Sequence, residues 1–253
     1  METGEKKLLL EEMSWLEIEE AVKNEMTTVI IFAGSVEQHG PHMAEITDTL
    51  LGYHWALDLA KRLGNALVAP VIRPGLSEHH MSLPGTITLR PEVFIGIVED
   101  YISSYIRHGF KTIILGSSHG GNSQALSQII KDHVDKHEGV KIISGMFDFM
   151  SILKKLEKED NLPAGTYGGH ACACETSIML HIAPQLVNME KAECGLLDVT
   201  PDAMKKLFAE GMAAISKNGV LGDSRPARSD RGAAHTLALQ DKLEEAIRAQ
   251  LKE

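Results

Sequence analysis

The stretch Thr27-Thr28-Val29-Ile30-Ile31-Phe32-Ala33-Gly34-Ser35-Val36-Glu37-Gln38-His39-Gly40-Pro41-His42 decides the fold. Its first half is apolar and β-branched, which is typical of a buried strand. Its second half carries Glu37 and His39, and Asp48 follows shortly after. Open α/β sheets place their chemistry in loops at the carboxyl ends of parallel strands. Carboxylates and imidazoles together in such a loop indicate a divalent metal site.

Strands and helices alternate along the rest of the chain. Short Val- and Ile-rich runs predict buried strands, and runs with helical apolar spacing predict the helices between them. The predicted strands are residues 29–33, 66–69, 112–116 and 140–144, and the predicted helices are residues 48–63, 91–106, 123–137 (with Asn122 as N-cap), 175–182, 201–217 and 233–252. This alternation predicts an α/β fold with a mostly parallel sheet and helices on both faces.

The composition sets limits on domain number and partners. The chain has 253 residues, 43% of them hydrophobic, with no repeat or linker, which predicts a single domain over residues 1–253. No apolar run is long enough to span a bilayer, and the N-terminus lacks the pattern of a signal peptide. A cytoplasmic location and no membrane partner are therefore expected. The formal charge of −10, without a basic cluster, argues against nucleic acid as a partner.

The residues that can do chemistry fall in three loops, each expected to follow a strand. These are the loop with Glu37, His39 and Asp48, the loop Gly116-Ser117-Ser118-His119-Gly120-Gly121-Asn122, and the loop Gly168-Gly169-His170-Ala171-Cys172-Ala173-Cys174-Glu175. Each residue alone has an ordinary explanation, since Asp48 can cap a helix and Glu175 can favour its positive end. Their coincidence at strand-to-helix loops favours a metal centre.

Charge balance favours two divalent ions over one. Two ions bring +4, the carboxylates of Glu37, Asp48 and Glu175 bring −3, and His39 and His119 are neutral. A bridging hydroxide neutralises the remaining charge, and a carboxylate such as Asp48 can bridge two ions about 3.5 Å apart. Bound metal lowers the pKa of water toward ~7.

A separate histidine is free for proton transfer. His170 is flanked by Gly169 and Ala171 rather than by further ligand-type residues. It is therefore expected to act as a general acid or base near its natural pKa.

Several motifs resemble those of the creatininase (creatinine amidohydrolase) family. They are Gly34 to His42 with Thr47-Asp48, Ser77-Glu78-His79-His80 through Pro84-Gly85-Thr86, His119-Gly120-Gly121-Asn122, Gly169-His170 through Glu175-Thr176-Ser177, and Gly219-Val220-Leu221-Gly222-Asp223. The resemblance runs from about residue 10 to the C-terminus. It implies a three-layer αβα sandwich with a two-metal site, built into a homo-oligomer that is often a hexamer.

The resemblance also implies roles for individual residues. Glu37, Asp48 and His119 would hold one metal, and His39, Asp48 and Glu175 the other, with Asp48 bridging. The implied cofactors are two divalent ions per chain, Zn²⁺ with Mn²⁺, Fe²⁺ or a second Zn²⁺. Catalytic roles fall to His170, which matches the family's proton-transferring histidine, and to Glu175. Glu78, His80 and Tyr167 are expected to contact the substrate.

Two departures predict a member other than a true creatininase. Creatininases carry an aromatic residue and a ligand glutamate after the histidine equivalent to His119, where this chain has Gly120-Gly121. We infer that Glu175 supplies the missing carboxylate. Creatininases also cover the substrate with a Trp-bearing loop, whereas residues 151–169 contain no Trp. The two tryptophans, Trp15 and Trp55, are assigned to packing, and Met146 and Met150 to the core.

The leading functional hypothesis is a metal-dependent hydrolase of a small molecule with a non-peptide C–N bond, such as a cyclic amide, lactam or formamide. A hydroxide at the binuclear site would attack the carbonyl, and His170 would protonate the leaving nitrogen. The alternatives are a hydrolase that opens a cyclic keto-polyol (an oxidised inositol) by C–C cleavage, a peptide-trimming enzyme, and a non-catalytic binding protein.

Overall fold

Four parallel strands form the centre of the part of the chain that the computed structural model describes, residues 7–133 and 136–252. They are β1 (Thr28–Ala33), β2 (Ala66–Val68), β3 (Thr112–Ser117) and β4 (Lys141–Ser144), in the spatial order β2-β1-β3-β4. The four predicted strands are confirmed to within one residue at each end. Residues 1–6, part of the N-terminus that lacks a signal-peptide pattern, lie outside the described residues. So do residues 134–135 of the predicted helix 123–137.

Helices flank the sheet. They are α1 (Trp15–Lys23), α2 (Thr47–Leu63), α3 (Pro91–Arg107), α4 (Ser123–His133), α5 (Phe149–Glu159), α6 (Ala173–Ile182), α7 (Pro201–Glu210) and α8 (Ser229–Lys252). Over residues 7–133 and 136–252, no helix combines the length and the apolar character that a membrane crossing requires.

The alternation of side chains along β1 divides the core into two layers. Ile30 and Phe32 pack with buried residues of α2, α5, α6 and α8, whereas Val29 and Ile31 pack with those of α3 and α4. Successive strand residues point to opposite faces, so a strand with six buried residues needs a helical layer on each side. The predicted three-layer αβα sandwich with a parallel sheet is confirmed.

The strand order positions one edge of the sheet for function. From β1 the chain passes to β2 on one side, then crosses back to β3 on the other side of β1. The loops that leave β1 and β3 therefore diverge, which opens a crevice at their carboxyl ends. Ala33 and Ser117, the last residues of these strands, pair directly. The loops with Glu37 and His119 begin side by side.

Three expectations from the sequence are corrected. The predicted helix 201–217 ends at Glu210, because Gly211 adopts a φ of +87° that a continuing helix does not permit. The last helix begins at Ser229, four residues before its predicted start at 233. The loop with His170 follows helix α5 and not a strand, and His170 forms only an isolated bridge with Leu221.

A close contact between helices α6 and α8 generates one prediction. A Cβ on Gly232 would lie 2.0 Å from the backbone oxygen of Ser177, which cannot move without shifting α6. We expect Gly232→Ala to lower the free energy of unfolding by ~1–3 kcal/mol in urea denaturation, the range for forced overpacking. Gly96→Ala is the matched control, because Gly96 is helical and faces open space, and it should stabilise by ~0.4–1 kcal/mol. Equal effects of the two changes would refute the close-contact argument.

Two neighbouring free cysteines belong to the core. Cys172 and Cys174 are buried in the α2/α6/α8 layer, and Cys194 is partly exposed. Burial raises the pKa of Cys172 to about 11 and that of Cys174 well above its ordinary value, so both thiols stay protonated at pH 8. We expect iodoacetamide at pH 8 to alkylate Cys194 alone in the native protein and all three cysteines in guanidinium, as counted by intact mass. Rapid native alkylation of Cys172 would show that the pair is reactive.

Candidate metal centre

Four segments bring ligand-type side chains to the carboxyl ends of β1 and β3. Glu37 and His39 lie in the loop after β1, Asp48 in the first turn of α2, His119 directly after β3, and Glu175 in the first turn of α6. The first four are buried and Glu175 is partly buried. Buried carboxylates at this density are costly unless positive charge accompanies them.

Within the described residues, three sets of ligand-type atoms occur at the centre. Two of them share Asp48, and the third consists of Glu37, His39 and His170. His119 Nδ1 lies 3.1 Å from Glu37 Oε1 and 3.4 Å from Asp48 Oδ2. His39 Nε2 lies 3.4 Å from Asp48 Oδ1 and 3.6 Å from Glu175 Oε1. Within each set the three ligand atoms lie within 4.8 Å of one another. Asp48 offers one oxygen to each of its two sets, which is the arrangement of a bridging carboxylate.

Hydrogen bonds to backbone carbonyls fix which ring nitrogens face these carboxylates. His39 Nδ1 lies 3.0 Å from Glu37 O, and His119 Nε2 lies 3.0 Å from Leu76 O. A carbonyl only accepts, so these nitrogens carry the hydrogens and donate. In the neutral imidazoles, His39 Nε2 and His119 Nδ1 then present lone pairs to the carboxylates. Metal-binding histidines are oriented in this way.

The polar atoms at the centre are short of partners. Among the described residues, His39 Nε2 and Asp48 Oδ2 are buried without a hydrogen bond. Burial lowers the pKa of His39 and of His119, but the adjacent carboxylates outweigh it and raise both pKa values well above the ordinary one. Burial raises the pKa of Asp48, but His39 and His119 outweigh burial, so the pKa of Asp48 lies below its ordinary value. The centre therefore favours added positive charge, and its donor set fits divalent cations.

Supporting hydrogen bonds hold the ligands in place. Ser35 Oγ donates to Glu37 Oε2 at 3.0 Å, and Ser118 Oγ donates to the Asp48 carbonyl at 2.6 Å. The Ala171 N–H donates to Glu175 Oε2 at 2.6 Å. This bond leaves Glu175 Oε1 to face His39.

Asn122 joins the loops instead of capping α4. It ends a short 3-10 turn, Gly120–Asn122, and is fully buried. Its side chain donates to Gly34 O at 3.0 Å and accepts from the Leu76 N–H at 2.9 Å. The predicted N-cap role is therefore corrected. The sequence indicated a polar residue at this point, but only the folded chain shows that it bridges separate loops.

Gln38 provides His170 with two kinds of partner at one ring nitrogen. His170 Nε2 lies 2.9 Å from the backbone oxygen of Gln38 and 2.8 Å from its side-chain Nε2. The carbonyl only accepts and the amide nitrogen only donates. Each neutral tautomer of His170 therefore has a partner at Nε2, and Nδ1, which lies 3.7 Å from Glu37 Oε1, can hold a proton or release it.

The environment of His170 corrects one expectation. Burial, together with the charges of His39 and His80, lowers the pKa of His170 well below its ordinary value. His170 is therefore neutral at physiological pH and does not titrate near its natural value. A neutral imidazole with a free Nδ1 is a proton acceptor.

The remaining predicted residues divide between the centre and other places. His80 is buried, with Nε2 3.4 Å from Glu37 Oε1 and Nδ1 2.7 Å from Gln38 Nε2, and burial lowers its pKa to about 2. Glu78 is exposed and does not line the cavity. Tyr167 lies in the core instead, where its hydroxyl donates to Asp160. Trp15, assigned to packing, is 71% exposed.

A cavity of about 720 Å³ opens onto the centre. Glu37, Asp48, His119, His170 and Glu175 all contribute to its lining. This volume lies within the range of small-molecule sites. The arrangement brings the buried imidazole of His170, a cluster of carboxylate and imidazole donors and a cavity of small-molecule size to one place.

Comparisons with known proteins agree with this arrangement. A family model described as creatinine amidohydrolase matches residues 11–247. The mycofactocin precursor peptide peptidase of Mycolicibacterium smegmatis is 28% identical over 216 residues, which cover 81% of this chain and 77% of that protein. The creatinine amidohydrolase of Pseudomonas putida is 27% identical over 243 residues, 90% and 91% of the two chains.

The fold comparison covers almost the whole chain. A solved structure described as "Creatininase Mn" superposes with a TM-score of 0.82 over 97% of this chain and 99% of the other, at 24% identity. At that identity the likeness establishes the fold alone. The family match covers more than nine-tenths of the chain, as the sequence motifs predicted. The chain is therefore a hydrolase that belongs to the creatininase family.

Proposed function

We propose that this chain is a metal-dependent hydrolase that cleaves a C–N bond of a small amide, such as a cyclic amide, lactam or formamide. The observation that carries the proposal is the sharing of Asp48 between two ligand sets whose histidines present lone pairs toward it. A single-ion site would not need both carboxylate oxygens engaged in this way.

The residues divide between two cations. Glu37, Asp48 and His119 would hold one, and His39, Asp48 and Glu175 the other, with Zn²⁺ and either Mn²⁺, Fe²⁺ or a second Zn²⁺ as the proposed ions. When bound, such cations supply Lewis acidity toward a carbonyl oxygen and lower the pKa of water. Asp48 belongs to both sets, and its position in the first turn of α2 fixes how the two sets lie relative to each other.

His170 moves the proton. Its Nδ1 faces the centre and accepts a proton from the attacking water, while the Nε2–H group keeps its hydrogen bond to the Gln38 carbonyl. The protonated imidazole then delivers this proton to the leaving nitrogen, so that water adds across the C–N bond. Because burial lowers the pKa of His170, its imidazolium gives up this proton readily.

A second candidate is the hydrolysis of a peptide bond. The similarity to the mycofactocin precursor peptide peptidase supports it, and the same centre would serve because a peptide bond is also an amide. A screen of lactams, cyclic amides, formamides, short peptides and cyclic keto-polyols separates these candidates. Turnover of keto-polyols alone would contradict the proposed C–N chemistry and favour C–C cleavage.

The shared carboxylate generates a prediction about metal content. We expect Asp48→Asn to reduce the bound divalent metal from two ions per chain to fewer than one, because an amide neither bridges nor balances charge. Elemental analysis of protein purified without chelators measures this. Asp58→Asn, the same change on the surface of α2, should retain both ions. Full metal content in folded Asp48→Asn would contradict the assignment.

The role of His170 generates a separate prediction. His170→Gln should lower kcat by ~10²–10⁴-fold on the best substrate of the screen, the usual contribution of a general acid–base group. Its metal content should stay at two ions per chain, because His170 belongs to neither proposed ligand set. His54→Gln, on α2 outside the cavity lining, should leave kcat unchanged. Unaltered kcat in His170→Gln would remove the proposed proton carrier.

A further inference from the structure

The helix that carries Asp48 continues the cavity wall away from the centre. Asp48, Leu51 and Trp55 all line the cavity and occupy positions i, i+3 and i+7 of α2, which share one helix face. At 1.5 Å per residue, Trp55 lies ~10 Å along the helix from Asp48. Glu175 and Ile178 repeat the pattern on α6. On both α2 and α6, a carboxylate in the first turn is thus followed along the same helix face by apolar side chains.

An aromatic group terminates this wall. The rings of Phe147 and Phe149 lie 6.5 Å and 6.3 Å from the ring of Trp55, and 6.3 Å from each other. Met146 and Met150 flank them and line the cavity. Met146 also packs against the core, as expected, whereas Met150 is 41% exposed and its expected assignment to the core is corrected. Flexible methionines beside aromatic rings form adaptable apolar surfaces.

A second apolar wall comes from the segment around α7. Met204, Leu207, Phe208 and Met212 line the same cavity, and Phe208 is 61% exposed. The ring of Phe208 lies 4.8 Å from that of His79, which in turn lies 5.6 Å from that of His119. Leu207 and Met212 are buried against Leu221, whereas Phe208 is exposed and gains free energy when a ligand covers it.

Trp55 carries an additional signal. It is 4% exposed, and its indole N–H has no hydrogen-bond partner among the described residues. A buried donor without a partner is unfavourable, and such groups require an explanation. This nitrogen is closed to solvent, so the indole ring offers the cavity no polar anchor.

We propose that the substrate amide carries a bulky apolar group, of phenyl size, which is bound between the Trp55–Phe147–Phe149 group and the α7 wall while the amide lies at the centre. This inference rests on the proposed function, since it places the scissile bond at Glu37, Asp48 and Glu175. It goes further by naming the substrate class, an amide with an aromatic or large aliphatic substituent. A compact polar ring would leave both walls uncovered.

Two hydroxamates test this without knowledge of the substrate. Acetohydroxamic acid binds divalent cations and has only a methyl group, whereas hydrocinnamohydroxamic acid joins the same metal-binding group to a phenylethyl chain. We expect calorimetry with the Mn²⁺- or Zn²⁺-loaded protein to give at least ~10-fold tighter binding for the second, a factor that corresponds to about 1.4 kcal/mol. Equal dissociation constants would overturn the inference while leaving the metal assignment intact.

Matched variants show where the phenyl group of hydrocinnamohydroxamic acid binds. Phe149→Ala should reduce the difference between the two hydroxamates to below ~3-fold with acetohydroxamate binding unchanged, and Trp15→Ala, on the exposed face of α1, should preserve it. A gain that survives in Phe149→Ala would show that the phenyl group binds elsewhere and overturn the inference. If acetohydroxamate itself does not bind the metal-loaded protein, the proposed function fails and the substrate class falls with it.

Discussion

Three carboxylates held close together in a buried place impose the main constraint on this molecule. Glu37 and Asp48 are almost fully buried, and Glu175 joins them across His39. Charges of one sign at such separations, away from water, cannot persist without compensation. The raised pKa values of His39 and His119 show that the carboxylates favour positive charge beside them. Two protonated histidines would balance part of the negative charge, and two divalent cations would balance all of it.

The fold satisfies this constraint by using the part of the sheet where loops diverge. The crevice between β1 and β3 exists because the chain leaves β1 in one direction and β3 in the other. Asn122 then ties the loop after β1 to residues near Leu76, so the ligands do not depend on flexible loops alone. Glu175 lies on α6, which is not connected directly to a strand. The packing of α6 on α8, with Gly232 against Ser177, holds α6 so that Glu175 reaches the centre. Asp48 and Glu175 therefore sit on helices, and the loop after β1 is tied down by the hydrogen bonds of Asn122.

What the sequence could predict follows from how local each signal is. The strands and the residues Glu37, His39 and Asp48 were predictable, because burial and ligand chemistry leave patterns within a few positions. The end of α7 was missed because the helix was extended past Gly211, although glycine is the usual residue after the end of a helix. The placement of Tyr167 with Asp160 was missed for a different reason, because a side-chain hydrogen bond leaves no periodic trace in the sequence.

The apolar walls and the charged centre act on each other. Apolar surroundings lower the local dielectric constant, which strengthens the attraction between carboxylates and cations and keeps His170 neutral. A ligand that covers Phe149 and Phe208 excludes more water from the same space, so the electrostatic interactions at Glu37 and Asp48 strengthen as the apolar group is bound. Recognition of the substrate's apolar part and the reactivity of its amide are then coupled. A small polar amide would reach the same ligands in a wetter site, where each of these effects is weaker.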